Sequence, residues 1–214
     1  MIVALVPAKA LDQAKGRLAE LLGEAERRRL ALAMLEDVVR ALQGVEAIDS
    51  IHVVSPDRQV LDKARELGAT AVEEPASVRG INQALVHALS TIIPKPDAVL
   101  AVLADVPAVT AEEIASVIAE APERGAVICP SIAKGTSALF LRPPDVIPFR
   151  FGELSFQSHK RQAAALKIET RVLRIESLER DIDEPNDLRW LIERGGETAT
   201  HRLLAEIMPA ERMA

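Results

Sequence analysis

Three cationic side chains, Lys9, Lys15 and Arg17, follow the apolar run Ile2 to Val6 within eleven residues. A carboxylate, Asp105, ends a second apolar run much further along, and Asp181 with Asp183 forms a later acidic pair. Basic groups beside two or three clustered carboxylates suit phosphate chemistry. The cations bind phosphate oxygens and stabilise charge as those oxygens rearrange, and the carboxylates suit Mg²⁺, a hard ion that bridges phosphates. Pro7 fixes its own φ and stiffens the loop, which makes Lys9 the leading phosphate contact, with Pro7 and Ala8 shaping the turn. Each residue also has an ordinary reading: Asp105 as a strand end, Asp183 as a helix cap, the lysines as an exposed charged loop. Their coincidence at positions where α/β folds place ligands favours the chemistry. The chain has neither GxxxxGK[ST] nor GxGxxG after its first strand, which removes most support from P-loop and dinucleotide-dehydrogenase readings.

Further polar groups precede predicted helices and strands. Asn82, after Arg79-Gly80-Ile81, can donate and accept toward a base or sugar, or cap a helix. Lys134-Gly135-Thr136-Ser137 offers close backbone approach and a hydroxyl at Thr136. Gly152 and Ser155 lie just before a helix, where free N–H groups receive a carboxylate or phosphate. His159 falls one turn later, without the partners of a nucleophilic triad.

The elements that must position these groups alternate. Leu30, Met34, Val38 and Leu42 mark one face of a long helix ending near Gly44. Ile51 to Val54 reads as a buried strand, and Asp57 caps a helix that stops at Gly68. Ala69 to Val72 reads as a strand, followed by a helix through Ile92 that stops at Pro94. Val99 to Leu103, apolar throughout, is the central strand of a sheet covered on both faces. Thr110 and Glu113 form a capping box. Ala126 to Cys129 and Ala138 to Leu141 supply two more strands, Ser155 to Leu166 a helix and Arg171 to Ile175 a strand. Pro143 to Leu154 departs from the rhythm and reads as an excursion over the cleft. This succession predicts an α/β fold with a mostly parallel sheet, whose strand-following loops share one edge. Residues 1–196 form one domain and 197–214 a C-terminal helix and tail.

Composition narrows the class. With 26 basic against 32 acidic residues the formal charge is -6, so any anion site must be local and duplex nucleic acid is a poor partner. The absence of Tyr, with one Trp and four Phe, argues against single-strand binding by stacking. No apolar run reaches the ~20 residues of a membrane helix, and the first strand lacks the basic flank of a signal peptide. One cysteine, Cys129, excludes a disulfide scaffold and suits a cytoplasmic protein.

Taken in order, Val6-Pro7-Ala8-Lys9, Ala14-Lys15-Gly16-Arg17-Leu18, Asn82, Ala104-Asp105-Val106-Pro107, Gly135-Thr136-Ser137-Ala138-Leu139, Phe151-Gly152 with Ser155-Phe156 and His159, and Asp181-Ile182-Asp183 before Asp187-Leu188 resemble the guanylyltransferases of coenzyme F420 biosynthesis. The resemblance spans Met1 to Leu191 and implies a Rossmann-like, MobA-type nucleotidyltransferase with a mostly parallel mixed sheet. It further implies joining GTP to 2-phospho-L-lactate, phosphoenolpyruvate or 3-phospho-D-glycerate with release of pyrophosphate. By that similarity Lys9, Lys15, Arg17 and Asp105 are catalytic, Pro7, Ala8, Lys9, Asn82 and Asp105 bind nucleotide, Thr136, Gly152 and Ser155 bind the acceptor, and Asp105, Asp181 and Asp183 hold Mg²⁺. Related enzymes suggest a homodimer. Two departures, Ser131 where the family often has Asp and Ser137 where it has Asn, leave the acceptor open. Another MobA-like transferase acting on a cofactor or sugar phosphate, or a non-catalytic nucleotide-binding domain, are the alternatives.

Overall fold

Buried apolar runs separated by amphipathic helices fold in a computed structural model that describes residues 1–208. The order is β1 (Ile2–Pro7), α1 (Glu24–Gln43), β2 (Ser50–Ser55), α2 (Arg58–Glu66), β3 (Thr70–Glu73), α3 (Gly80–Ser90), β4 (Ala98–Val102), α4 (Ala111–Ala119), β5 (Gly125–Pro130), β6 (Thr136–Arg142), α5 (Ser155–Ala165), β7 (Glu169–Val172), α6 (Glu176–Glu179), α7 (Pro185–Arg194) and α8 (Ala199–Ile207). The seven strands form one sheet, ordered β3-β2-β1-β4-β6-β5-β7. The central position of β4 follows from its composition: all five of its residues are buried, as helices on both faces require.

Pairing is parallel except for β6, which runs antiparallel to both β4 and β5. This reversal corrects the expectation that strand-following loops share the active edge. For β6 it is the preceding turn, containing Gly135, that lies at the carboxyl end of β4. A register irregularity where Cys129 and Pro130 face Ala138 and Thr136 puts an extra residue in β6. Such a bulge breaks the two-residue alternation and re-aims side chains at the strand's start.

Helices cover both faces. Leu35, Val38, Val39 and Leu42 of α1 pack with Ile114 and Val117 of α4 on one side of the sheet. Ala84, Leu85 and Ala88 of α3 and Ala163 of α5 pack on the other. The excursion after β6 is anchored there too, since Val146, Ile147, Phe149 and Phe151 are buried in the same cluster. A third cluster joins Leu18 and Leu22 of the basic loop to Leu30 and Met34 of α1, Ile182, Leu188 and Leu191, and Leu203, Leu204 and Ile207 of α8. It ties the basic loop to the acidic segment through Leu18 and Ile182, although they are far apart in sequence.

Boundaries shift where side chains compete with the helix ladder. α3 ends at Ser90, before Pro94, because the Thr91 N–H and hydroxyl both turn back to the Ala88 carbonyl at 3.1 and 2.8 Å. β7 begins two residues earlier than the apolar pattern implied and ends at Val172. The Asp57 cap and the Thr110–Glu113 capping box form as expected. At the C-terminus, Asp37 of α1 accepts from the Ala199 and Thr200 N–H groups at 2.7 and 2.9 Å, so α8 is seated on α1. The remainder of the expected tail, 209–214, lies outside the described residues. Among the described residues no helix is long and apolar enough to cross a membrane.

Candidate active site

Because β1 and β4 are adjacent and parallel, the loops that leave them start side by side. The loop after β1 is held down by Asp57, whose second carboxylate oxygen accepts from Leu11 N–H at 2.9 Å. The segment after β4 is tied to the acidic pair by the backbone: Ile182 N–H donates to the Asp105 carbonyl at 2.9 Å. Asp187, in the first turn of α7, accepts from the N–H groups of Asp183 and Glu184 at 3.1 and 2.8 Å. These local ties bring Asp105, Asp181 and Asp183 together, with one ligand oxygen from each within 4.8 Å of the others.

Lys15 stands inside this cluster. Its Nζ donates to Asp183 at 2.7 Å and to Asp105 at 3.1 Å, with the side chain only 7% exposed. Burial opposes the charge on Lys15, but the carboxylates of Asp105 and Asp183 outweigh it and raise its pKa. Lys15 also adopts the left-handed conformation (φ 54°, ψ 40°), which costs a non-glycine residue on the order of 1 kcal/mol. Sequence reasoning had no signal for this, since Gly16 follows immediately and would have been the residue expected there.

The carboxylates respond differently. Burial, with the negative charge of Asp105 close by, pushes Asp181 up to about 6. Burial also acts on Asp183, but contact with Lys15, together with the charges of Lys9 and Arg17, holds its carboxyl below the ordinary range. Asp105 gives one oxygen to Lys15, while its other, Oδ1, is buried without a hydrogen-bond partner. An unpaired buried carboxylate oxygen is costly, and three oxygen donors at this spacing fit a hard divalent cation. Lys9 is exposed, without an ion pair among the described residues, and Arg17 reaches Glu184 at 3.1 Å from an exposed position. Pro7 and Ala8 are half-buried at the base of the loop, where Ala8 N–H donates to the Val54 carbonyl at 2.9 Å.

A second, uncharged group of residues lies across the end of β4, where Leu103 N–H donates to the Ser137 carbonyl. Thr136 and Ser155 are buried, and Gly135 precedes Thr136. A Cβ on Gly135 would lie 2.9 Å from Ser131 Oγ and 3.8 Å from Ser155 Oγ. Gly152 is exposed at φ +123°, a conformation other residues adopt only under strain. We expect Gly135→Ala to displace the Ser131 hydroxyl, which now accepts from Gly135 N–H at 3.0 Å. The loss should be about 1 kcal/mol, readable by thermal unfolding; unchanged stability would show that the turn relaxes freely.

Asn82 is not a cap. It lies within the first turn of α3, where its Oδ1 accepts from Phe151 N–H at 2.7 Å and its Nδ2 donates to the Phe151 carbonyl at 3.0 Å. Its amide therefore clasps the loop leading to Gly152, a partner that could not be inferred from a position 69 residues away in sequence. His159 is buried in α5 beside Phe151, its ring edge-on at 5.2 Å. Burial, reinforced by the charge of Arg150, lowers its pKa to about 4. The unfolded chain takes up a proton near pH 6.5 and the folded chain does not. Stability contributed by neutral His159 is thus complete above pH 6.5 and lost as pH falls toward 4, by about 3 kcal/mol. Urea melts at pH 7 and 4.5 should show a smaller acid loss in His159→Gln than in the parent; equal losses would contradict this.

The sequence profile described as "Guanylyl transferase CofC like" matches residues 2–210. The chain belongs to this family. Among CofC-like relatives, the phosphoenolpyruvate guanylyltransferase of Sphaerobacter thermophilus is 41% identical over 191 residues, covering 88% of this chain and 91% of its own. The 2-phospho-L-lactate guanylyltransferase of Methanocaldococcus jannaschii is 29% identical over 204 residues, covering 95% and 88%. A crystal structure from Desulfovibrio desulfuricans G20 matches with a TM-score of 0.79 at 18% identity, covering 96% of this chain and 94% of that one. At that identity the likeness concerns the fold alone, a mostly parallel mixed sheet with helices on both faces. In this CofC-like chain the basic loop and the three carboxylates meet through Lys15.

Proposed function

We propose that this CofC-like guanylyltransferase, an enzyme acting on a small phosphorylated acid, uses phosphoenolpyruvate as acceptor and GTP with Mg²⁺ as donor. The acceptor assignment is supported by the higher identity to the phosphoenolpyruvate enzyme of Sphaerobacter thermophilus than to the phospho-lactate enzyme of Methanocaldococcus jannaschii. The observation that carries the chemistry is the Asp105–Asp181–Asp183 cluster with Lys15 held inside it.

In this reading an acceptor phosphate oxygen attacks the α-phosphorus of GTP. A new P–O bond forms, the bond from the α-phosphorus to the β-bridging oxygen breaks, and pyrophosphate leaves with that electron pair. Asp105, Asp181 and Asp183 would hold Mg²⁺, which when bound neutralises phosphate charge and polarises the phosphoryl oxygens. Lys9 and Arg17, both on the exposed rim of the loop, bind the outer phosphates. Lys15 stabilises negative charge as it develops. Thr136, Ser155 and the backbone at Gly152 receive the acceptor, so that its phosphate lies in line with the donor. No covalent enzyme intermediate is needed, because the nucleophile is already an anion and positioning supplies much of the rate.

The test is pyrophosphate release from each nucleoside triphosphate with Mg²⁺ against phosphoenolpyruvate, 2-phospho-L-lactate and 3-phospho-D-glycerate. GTP with phosphoenolpyruvate should be preferred by kcat/KM. Preference for another acceptor would replace the substrate, and no release from any pair would overturn the reading.

A further inference from the structure

We propose that His159 is a positioning residue for the acceptor, a buried neutral imidazole that turns the Thr136 hydroxyl into a donor and fixes the Gly152 loop and Ser155 in register with it. The proposal rests on the acceptor reading above and specifies what holds that pocket together.

Each nitrogen of the ring has a partner on a different segment. Nε2 lies 2.9 Å from the Arg150 backbone N–H. A backbone amide can only donate, so Nε2 is the unprotonated nitrogen. The proton of the neutral ring therefore sits on Nδ1, which lies 3.0 Å from Thr136 Oγ1 and donates to it. With an acceptor site of its oxygen filled by His159, the Thr136 hydroxyl has its own proton to give. A hydroxyl held in that sense recognises an anionic oxygen.

The same ring registers the rest of the pocket. His159 and Ser155 are four residues apart in α5 and share a helical face. Through Arg150 N–H the ring fixes the residue that precedes Phe151-Gly152, while Asn82 clasps Phe151 from α3. The bulge in β6 accounts for Thr136 reaching α5. The start of β6 and the 150–154 loop are thus both tied, by one fully buried side chain, to the helix that begins with Ser155. Burial obliges both nitrogens to find partners; what sets this ring apart is that its partners are Thr136 itself and the backbone two residues before Gly152. Burial and the nearby charge of Arg150 keep the ring neutral, which the arrangement requires, since a second ring proton would abolish the bond from Arg150.

Two measurements test it. The first reads the tautomer without turnover. The ¹⁵N shifts of His159 at pH 7 should show a protonated Nδ1 and a bare Nε2, and the opposite tautomer would overturn the proposal even if the enzyme is active. The second is steady-state kinetics of His159→Gln, Thr136→Val and the double variant, each checked by thermal unfolding. Glutamine can still accept from Arg150 N–H but does not reproduce the Nδ1 donor. His159→Gln and Thr136→Val should each raise KM for phosphoenolpyruvate about 10- to 100-fold, with KM for GTP within about two-fold. The double variant should be no worse than about three-fold beyond the worse single variant, because both remove one interaction. Thr136→Ser should restore most of the affinity. Multiplicative losses, equal rises in both KM values, or an unaltered acceptor KM in a folded His159→Gln would overturn the proposal. If the parent protein turns over no acceptor, the functional reading fails, and the tautomer measurement still decides the geometry of the ring.

Discussion

Asp105→Asn should lower turnover at saturating GTP and phosphoenolpyruvate by at least ~100-fold with the fold intact. The substitution keeps the size of the side chain but removes its charge. In the parent, one oxygen of Asp105 meets Lys15 at 3.1 Å and the other is buried without a partner, so the carboxylate is half-satisfied by protein and free to take a cation. Asparagine would leave the Lys15 contact possible through its carbonyl and replace the vacant oxygen, or place its NH₂ against Lys15, and in neither orientation is it a strong ligand for Mg²⁺. The fold should persist, because Ile182 N–H still ties to the residue 105 carbonyl and Asp183 still pairs with the buried Lys15. Turnover within a few-fold of the parent would remove Asp105 from the reaction.

Lys15→Met should act on both stability and catalysis. Methionine matches the length of the lysine stem, so what is lost is the buried ammonium between Asp105 and Asp183. Breaking a buried ion pair from one side leaves uncompensated charge, and with both aspartates partly exposed the cost should be about 1–3 kcal/mol. Turnover should fall ~100-fold or more through loss of charge stabilisation. Mg²⁺ brings positive charge to the same carboxylates, so it should raise the melting temperature of Lys15→Met more than that of the parent. A variant as stable and active as the parent, with the same response to Mg²⁺, would contradict the role given to Lys15.

Much of this was legible in the sequence because it is local. The apolar run Val99 to Leu103 identified a central strand, and Asp57, Thr110 and Glu113 announced their helix starts through side chains that satisfy orphan N–H groups. The gathering of the basic loop with distant carboxylates followed from one topological rule, that ligands meet strand ends on one edge. What could not be read depends on contacts between remote segments. The reversal of β6 left no mark in an apolar run that reads the same in either direction, yet it brings the turn with Gly135 and Thr136 to the end of β4. Asn82 looked like a helix start, and its clasp on Phe151 depends on a loop defined only once α3 and α5 share a face of the sheet. The left-handed backbone at Lys15 runs against the preference of its own residue type. Ser131 stood out only as a departure from the family's Asp, with nothing to show that its hydroxyl would hold the Gly135 N–H.

The most direct measurement of the central claim is the ³¹P spectrum of a reaction containing the protein, GTP, Mg²⁺ and phosphoenolpyruvate. The account predicts pyrophosphate and, in equal amount, a coupled pair of resonances from a new phosphoanhydride joining the guanylyl phosphorus to the acceptor phosphate. Orthophosphate with GDP, or a spectrum in which GTP and phosphoenolpyruvate persist unchanged, would contradict it.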